Sequence, residues 1–333
     1  MGSADQRIAK TRAKRALQGL GFDVSSPLTR AASTRNEVHV SDTHVVRINP
    51  RPDQRLGREG QLCTALPPET WAPSVVGYSG GTGFDFVVVT RKPGIAVSRR
   101  WPSMNRDERR KFIGELASAL RQLHSVPTPP VATKMFGTPH LLDPAAVSPV
   151  VPILMAIDHL IASRQVDRVM LDDLADMVND HGDALNDYHQ RTLIHGDLSF
   201  ENVMIHDGSL SGLLDFEWSR GAPADLELDV LLRFFRFPEA HLPSDIASTL
   251  SSLDFDDTPG WLAEDYPDLF SHPRLMERMA LYSIAFDMAE LITMKSITSA
   301  SNMGPLHPVR RLTDLLDGLS PLRDQMIRLG LPA

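Results

Sequence analysis

Cysteine is nearly absent from this chain: among 333 residues there is one, Cys63. An intramolecular disulfide is therefore impossible, and metal sites built on two thiolates are excluded. Long apolar runs are missing too. The most apolar stretch, "VVPILMAI" at 150–157, falls far short of the ~20 residues that a membrane-spanning helix needs. The first residues, "MGSADQRIAKTRAKRALQGLG", have no apolar core of the signal-peptide kind. Gln6 stands where a myristoylation motif requires Ser or Thr. No dense basic stripe of the kind used by nucleic-acid binders occurs. These absences predict a cytoplasmic protein with neither a membrane nor a nucleic acid as partner. Both glycine-rich phosphate signatures, G-x-x-x-x-G-K-[ST] and G-x-G-x-x-G, are also lacking. Any phosphate site must be built another way.

What is present is ordinary in bulk and uneven in detail. Hydrophobic content of 42% and charged content of 23% fit a globular chain long enough for a substantial core. The net charge of −8 is not spread evenly. Residues 1–100 carry 15 Lys and Arg against 8 Asp and Glu, a balance of +7. Residues 101–333 carry 19 against 34, a balance of −15. A basic first part suits an anion such as a nucleotide phosphate, and an acidic second part suits a cationic or metal-bound ligand. A chance distribution of solvated charge is the plain alternative.

Hydrophobic periodicity divides the chain near residue 95. Before it, "AKTRAKRALQGL" reads as a basic helix over 8–20, and "NEVHVSDTHVVRINP" (36–50) alternates as a hairpin around Ser41-Asp42. "DQRLGREGQLCTALPP" (53–68) reads as a helix stopped by Pro67-Pro68. "PSVVGYSGGTGFDFVVVTRKPG" (73–94) reads as two strands joined by a glycine-rich turn at Gly80–Gly83. After it, "NRDERRKFIGELASALRQLHSV" (105–126) places Phe112, Leu116, Leu120 and Leu123 at helical spacing. Further helices are expected at about 152–163, 167–189, 225–236, 273–297 and 308–329. The fold class expected is α+β: a small β-rich lobe over 1–92 and a larger, mostly helical lobe over 93–333. A hinge near 89–95 joins them.

Two motifs carry chemistry. In "LIHGDLSFENVMI" (193–205), Asp197 and Asn202 stand in a polar island between apolar flanks. D-L-x-x-x-N is the spacing of a kinase catalytic loop, where the Asp meets the acceptor hydroxyl and the Asn binds metal. A buried turn satisfying its own backbone is the alternative. The second motif is "LSGLLDFEWS" (210–219), in which Asp215 lies 13 residues after Asn202. The intervening segment reads as two short strands around Asp207-Gly208. That hairpin returns Asp215 to the side of Asn202, and two hard oxygen ligands arriving together suit Mg²⁺.

With these segments, the chain resembles the aminoglycoside phosphotransferase family, small-molecule kinases of protein-kinase-like bilobal fold. "LIHGDLSFENVMI" and "LLDFEWSRGAPADLELDVLLR" resemble its catalytic loop and metal-binding segment. "NEVHVSDTHVVRIN", "REGQLCTALP" and "FVVVTRKPG" come in the family's order. The resemblance implies that Asp197 is the catalytic base or hydroxyl-orienting group within a catalytic loop over 194–202, and that Asn202 and Asp215 hold Mg²⁺. It implies that His195 and Asp229 brace the loop. The family's basic residue on the third strand and its acidic partner on the next helix fall on Arg47 and Glu59. Arginine here departs from the lysine of protein kinases and offers a two-pronged head in place of a point charge. Plain alternatives are a surface strand arginine and a solvated helix carboxylate. The loop over the phosphates is expected in "AASTRNE" (31–37), through Ser33 and Thr34 and backbone amides, with the nucleotide base against backbone groups near Val89 and Arg91.

The segment after Asp215 runs almost at once into an apolar helix. It leaves little room for a peptide-docking loop, so the acceptor is expected to be a small molecule. Contacts to it are expected from Glu217 and from the acidic, aromatic stretch at 253–270, through Asp256 and Trp261. A solvated acidic loop whose aromatics pack inward is the alternative for that stretch. The function implied is transfer of a phosphoryl group from ATP or GTP, with Mg²⁺, to a hydroxyl of a small molecule such as an antibiotic, by a monomer or homodimer. A metabolic kinase for an amino alcohol, sugar or homoserine-like acceptor is the nearest alternative. A nucleotide-binding sensor without catalysis is the alternative of a different class.

Overall fold

The computed structural model describes residues 3–22, 27–31, 33, 36–51, 53–81, 84–133, 140–142, 148–189, 191–294 and 303–330. The chain forms two compact units, one from Met1–Phe136 with His195–Gly221, the other from Gly137–Ile194 with Ala222–Ala333.

The first unit opens with helix α1 (Ser3–Gly19) and strands β1 (Thr29–Ala31), β2 (Glu37–Val40) and β3 (His44–Asn49). Helix α2 (Arg55–Ala65), β4 (Val75–Gly81) and β5 (Phe84–Thr90) follow. The five strands make one antiparallel sheet in the order β1-β2-β3-β5-β4. The period-two alternation of strand side chains sorts the residues onto two faces. Val46, Ile48, Phe86 and Val88 pack with Ala13, Ala16 and Leu17 of α1. Val87 and Val89 pack with Leu56 of α2. Both faces of β5 are covered, which is why "FVVVT" reads as a continuous apolar run. Arg47 pairs in register with Val87 and so shares the face that carries α2. Helix α2 lies close against β4 because a Cβ on Gly57 would meet the Gly80 backbone. That proximity brings the carboxylate of Glu59 within reach of β3.

The unit continues through β6 (Ile95–Ala96), α3 (Val97–Arg100) and α4 (Arg106–Ser125). Asn105 and Glu108 close a reciprocal capping box at the start of α4. Phe112, Leu116, Leu120 and Leu123 are all fully buried, as their spacing predicts.

The second unit contributes α5 (Val151–Ser163), α6 (Arg168–His181) and β7 (Thr192–Ile194). The chain then returns to the first unit for β8 (Val203–His206) and β9 (Ser209–Leu213), which extend β6 into a three-stranded antiparallel sheet. Most of the rest is helical: α7 (Ala224–Arg236), α8 (Pro238–His241), α9 (Thr258–Asp265), α10 (Leu275–Thr293), α11 (Pro308–Leu316) and α12 (Pro321–Arg328). Two expected helices are shorter than periodicity suggested. The one over 167–189 ends at His181 and passes into a 3₁₀ turn at Gly182–Leu185. The one over 308–329 is two helices, because Gly318 adopts φ 71° and Pro321 starts a new N-terminus. Among the described residues, no helix is long and apolar enough to cross a membrane.

Candidate active site

The polar island of residues 195–202 is a tight loop entering β8. The Ser199 amide donates to the Asp197 carbonyl at 3.1 Å, and the Asn202 amide donates to the Ser199 carbonyl at 2.9 Å. Leu198 and Phe200 anchor the loop from below, both fully buried, with Phe200 edge-on to Trp101 at 4.9 Å. Asp197 itself stays partly exposed. The Asn202 side-chain amide donates to the Asp197 carbonyl at 2.8 Å. With its nitrogen so engaged, Asn202 presents Oδ1 as its acceptor end. Gly196 has φ 79°, and a Cβ there would stand 2.6 Å from the Trp218 carbonyl. No other residue type fits between His195 and Asp197 without strain.

The β8–β9 hairpin turns at Asp207 (φ 49°) and Gly208 (φ 76°), both left-handed as a two-residue type I′ turn requires. Val203 pairs with Leu213, and the Leu214 amide donates to the Asn202 carbonyl at 2.8 Å. Asp215 is thereby returned beside Asn202, as the spacing predicts. His195 is fully buried, with Nε2 2.8 Å from the Leu214 carbonyl and its ring 4.6 Å from that of Phe216. It ties the loop ahead of Asp197 to the segment ahead of Asp215.

Asp215 adopts φ 66°, ψ 62°, a left-handed conformation that, beside glycine, asparagine and aspartate enter most readily. Its Oδ1 lies 2.6 Å from Arg47 Nη2. Arg47 Nη1 donates to both Glu59 oxygens at 2.6 Å, and Glu59 Oε1 also accepts from the Phe216 amide at 3.1 Å. The Glu217 carboxylate stands 3.5 Å from Arg47 Nη2. One guanidinium thus faces three carboxylates. Burial by itself would lower the pKa of Arg47; Asp215, Glu59 and Glu217 outweigh it and raise it. Burial pushes the Glu59 carboxyl upward, with Asp215 and Glu217 adding to the rise, while Arg47 and the Phe216 amide pull it back.

Residues 26–266 match the phosphotransferase enzyme family. The chain belongs to it. Comparison with curated protein sequences gives no match. Among solved structures, the chain is similar to the ADP-bound aminoglycoside phosphotransferase APH(2'')-Ib, at TM-score 0.59 and 14% identity, over 94% of this chain and 98% of that one. It is similar to the GDP complex of a mutant aminoglycoside 2'-phosphotransferase-IIIa, at TM-score 0.60 and 15% identity, over 94% and 97%. It is also similar to aminoglycoside phosphotransferase APH(4)-Ia, at TM-score 0.57 and 14% identity, over 96% and 97%. The fold is thus the kinase-like α+β fold of these phosphotransferases.

In this phosphotransferase, Asp197, Asn202, Asp215, Arg47, Glu59 and His195 belong to one compact unit, and hydrogen bonds link each of them to the site. The other expected residues lie as follows. Glu217, expected at the acceptor, is only 4% exposed. It turns inward to Arg47, to Asn36 Nδ2 at 3.1 Å and to Arg55 Nη1 at 3.8 Å. Ser33 Oγ accepts from the Asn36 amide at 3.3 Å; Thr34 lies outside the described residues. Val89 is buried in the sheet core against α2. The Arg91 amide donates to Thr43 O at 2.8 Å and its Nη1 to Ser41 O at 3.2 Å, so both are committed to the β2–β3 turn. Trp261 is 7% exposed within the helical unit, so its faces are not open for stacking on a ligand. Asp256 is exposed and lines a small surface cleft with Arg236, Asp324 and Arg328. Asp229 is fully buried on α7 with Oδ1 3.5 Å from Arg233 Nη2, and burial raises its carboxyl to about 6.

Four residues of the site were not singled out by sequence: Asn36, Arg55, Arg58 and Gly196. Arg58 is 5% exposed and donates to the Glu217 and Ser219 carbonyls at 3.2 and 2.5 Å. Burial, then the nearby Arg220, bring its pKa down to about 10. Arg58 and Glu59 together fasten α2 to the segment after Asp215. Gly196 alone left a readable signal, as the small residue between His195 and Asp197.

Proposed function

We propose that this protein transfers the γ-phosphoryl group of ATP or GTP to a hydroxyl of a small molecule, most plainly an antibiotic of the aminoglycoside, peptide or nucleoside type. The observation that carries the reading is the return of Asp215 to Asn202 by the β8–β9 hairpin, beside Asp197. The similar structures include ADP-bound, GDP-bound and streptomycin–ATP complexes of aminoglycoside phosphotransferases, which supports a nucleotide and a small molecule as the two substrates.

Asn202 Oδ1 and the Asp215 carboxylate are hard oxygen donors, and they fit Mg²⁺. This ion is usually held by one or two protein ligands while substrate phosphates and water fill its shell. When bound, it neutralises charge on the β- and γ-phosphates. Arg47, held by Glu59, helps to balance the phosphate charge from the side of the sheet through its positive field. Asp197 accepts a hydrogen bond from the acceptor hydroxyl and orients it in line with the γ-phosphorus. The new O–P bond forms as the bond to the leaving diphosphate oxygen breaks. The hydroxyl proton passes to the Asp197 carboxylate and then to solvent.

The test is nucleotide consumption against a panel of aminoglycosides, hydroxylated peptides, nucleosides, amino alcohols and sugars, with the phosphorylated product identified by mass. Turnover with an antibiotic supports the proposal. Turnover only with an amino alcohol or sugar moves the protein to metabolism. Tight nucleotide binding with no turnover on any acceptor supports a sensor.

A further inference from the structure

Arg47 faces more carboxylate than it can neutralise, and the three acids are not equivalent. Glu59 holds Nη1 through both its oxygens. Asp215 and Glu217 compete for Nη2, at 2.6 and 3.5 Å. Asp215 is the outer of the two, with a side chain 30% exposed, whereas that of Glu217 is 4% exposed. If the proposed function holds, Asp215 must give up Nη2 when it turns to a cation. That release would leave one prong of a largely buried guanidinium without an anion, which is costly. Glu217 is already in place to receive it. Its Oε2 is fixed by Asn36 Nδ2 at 3.1 Å, its backbone by Arg58, and its Oε1 stands 3.8 Å from Arg55.

We infer that Glu217 is a positioning residue, the reserve counter-ion that takes Arg47 Nη2 when Asp215 is drawn to the metal–nucleotide. This handover gives a physical reason for arginine where protein kinases have lysine. A guanidinium can keep Glu59 on one prong while the other passes from Asp215 to Glu217. An ammonium has three donors but on one nitrogen, so it lacks two separated, fixed prongs of which one can stay while the other changes partner. The role differs from that of a metal ligand, because Glu217 acts here only through Arg47.

The experiment measures ATP affinity by calorimetry, with Mg²⁺ and with EDTA, for wild type, Glu217→Gln, Arg47→Met and the double variant. Handover predicts that Glu217→Gln weakens Mg·ATP binding by about tenfold and metal-free ATP by less than about twofold. It predicts that the same substitution changes little in the Arg47→Met background. Arg47→Lys serves in place of Arg47→Met should the neutral variant not fold, and there too the effect of Glu217→Gln should shrink. An equal loss in all backgrounds would make Glu217 a direct ligand and overturn the inference. No effect of Glu217→Gln in the wild-type background would overturn it as well. Failure of the wild type to bind Mg·ATP would instead overturn the proposed function.

Discussion

Arg47 in the sheet-bearing unit and Arg278 in the helical unit both sit among carboxylates, but they are held in different ways. Arg278 is 1% exposed, and each of its nitrogens has an oxygen. Nε and Nη2 go to Asp225, Nη1 to Asp187 at 2.5 Å and Ala184 O at 2.8 Å, and Nη2 also to Tyr282 Oη at 3.0 Å. Asp225 is closed in turn by Tyr282. This is a matched staple between α10, α7 and the 3₁₀ turn after α6. Around Arg47, three acids crowd one guanidinium, Glu217 with a second and more distant partner in Arg55, and Asp215 is partly exposed in a left-handed conformation. The acid-rich, partly exposed cluster is where the proposed function would seat a cation, whereas the closed network around Arg278 is suited to holding helices together.

The largest expected effect lies just beyond the excess-charge cluster, at the loop it serves. Asp197→Ala should lower kcat by roughly 10²–10⁴-fold while nucleotide affinity, measured by calorimetry, stays within a few-fold. Full turnover in that variant would remove Asp197 from the chemistry. Next come the two networks themselves. Asp225→Asn should cost about 3–5 kcal/mol in denaturant unfolding, because it leaves Arg278 buried and under-paired. Asp215→Asn should cost less than about 1 kcal/mol, since Glu59 and Glu217 still hold Arg47 and asparagine tolerates the left-handed backbone. Equal losses would erase the contrast between staple and site.

Gly196→Ala should cost about 1–3 kcal/mol and lower kcat, as its Cβ pushes on the Trp218 carbonyl. The smallest effect is a pH slope. Asp229 has its folded-state pKa raised by burial to about 6 from 3.8. The folded state therefore prefers the protonated acid, and this contribution to stability is lost as pH rises from about 4 through about 6. Asp229→Asn should flatten the stability profile over that window, measured by denaturant titration at several pH values; an unchanged slope would assign it to other groups.

Much of this could be read from residues alone, and the reason is local. Asp197, Asn202 and Asp215 all lie in the single stretch 197–215, and the Asp207-Gly208 turn fixes how they meet. Strand alternation and the Pro67-Pro68 stop gave β2, β3 and α2 within a few residues. Arg47 and Glu59, 12 positions apart, came only with the family resemblance, which puts such a pair on the third strand and the next helix. What stayed hidden depends on long-range approach. Asn36 and Glu217 are 181 residues apart, and Arg58 and Ser219 161. No spacing announces such pairs. Burial is hidden for a related reason: Glu217 beside a motif is only 4% exposed, and Trp261 in its acidic stretch is 7% exposed, as the inward-packing alternative has it.

The most direct test of the excess-charge account is the Mg²⁺ dependence of nucleotide binding in wild type and Asp215→Asn, measured by calorimetry on samples of matched stability. The account predicts that Mg²⁺ strengthens ATP binding to the wild type and that the strengthening is lost in the variant, with no fall in melting temperature beyond a few degrees. An identical Mg²⁺ dependence in both proteins would contradict it.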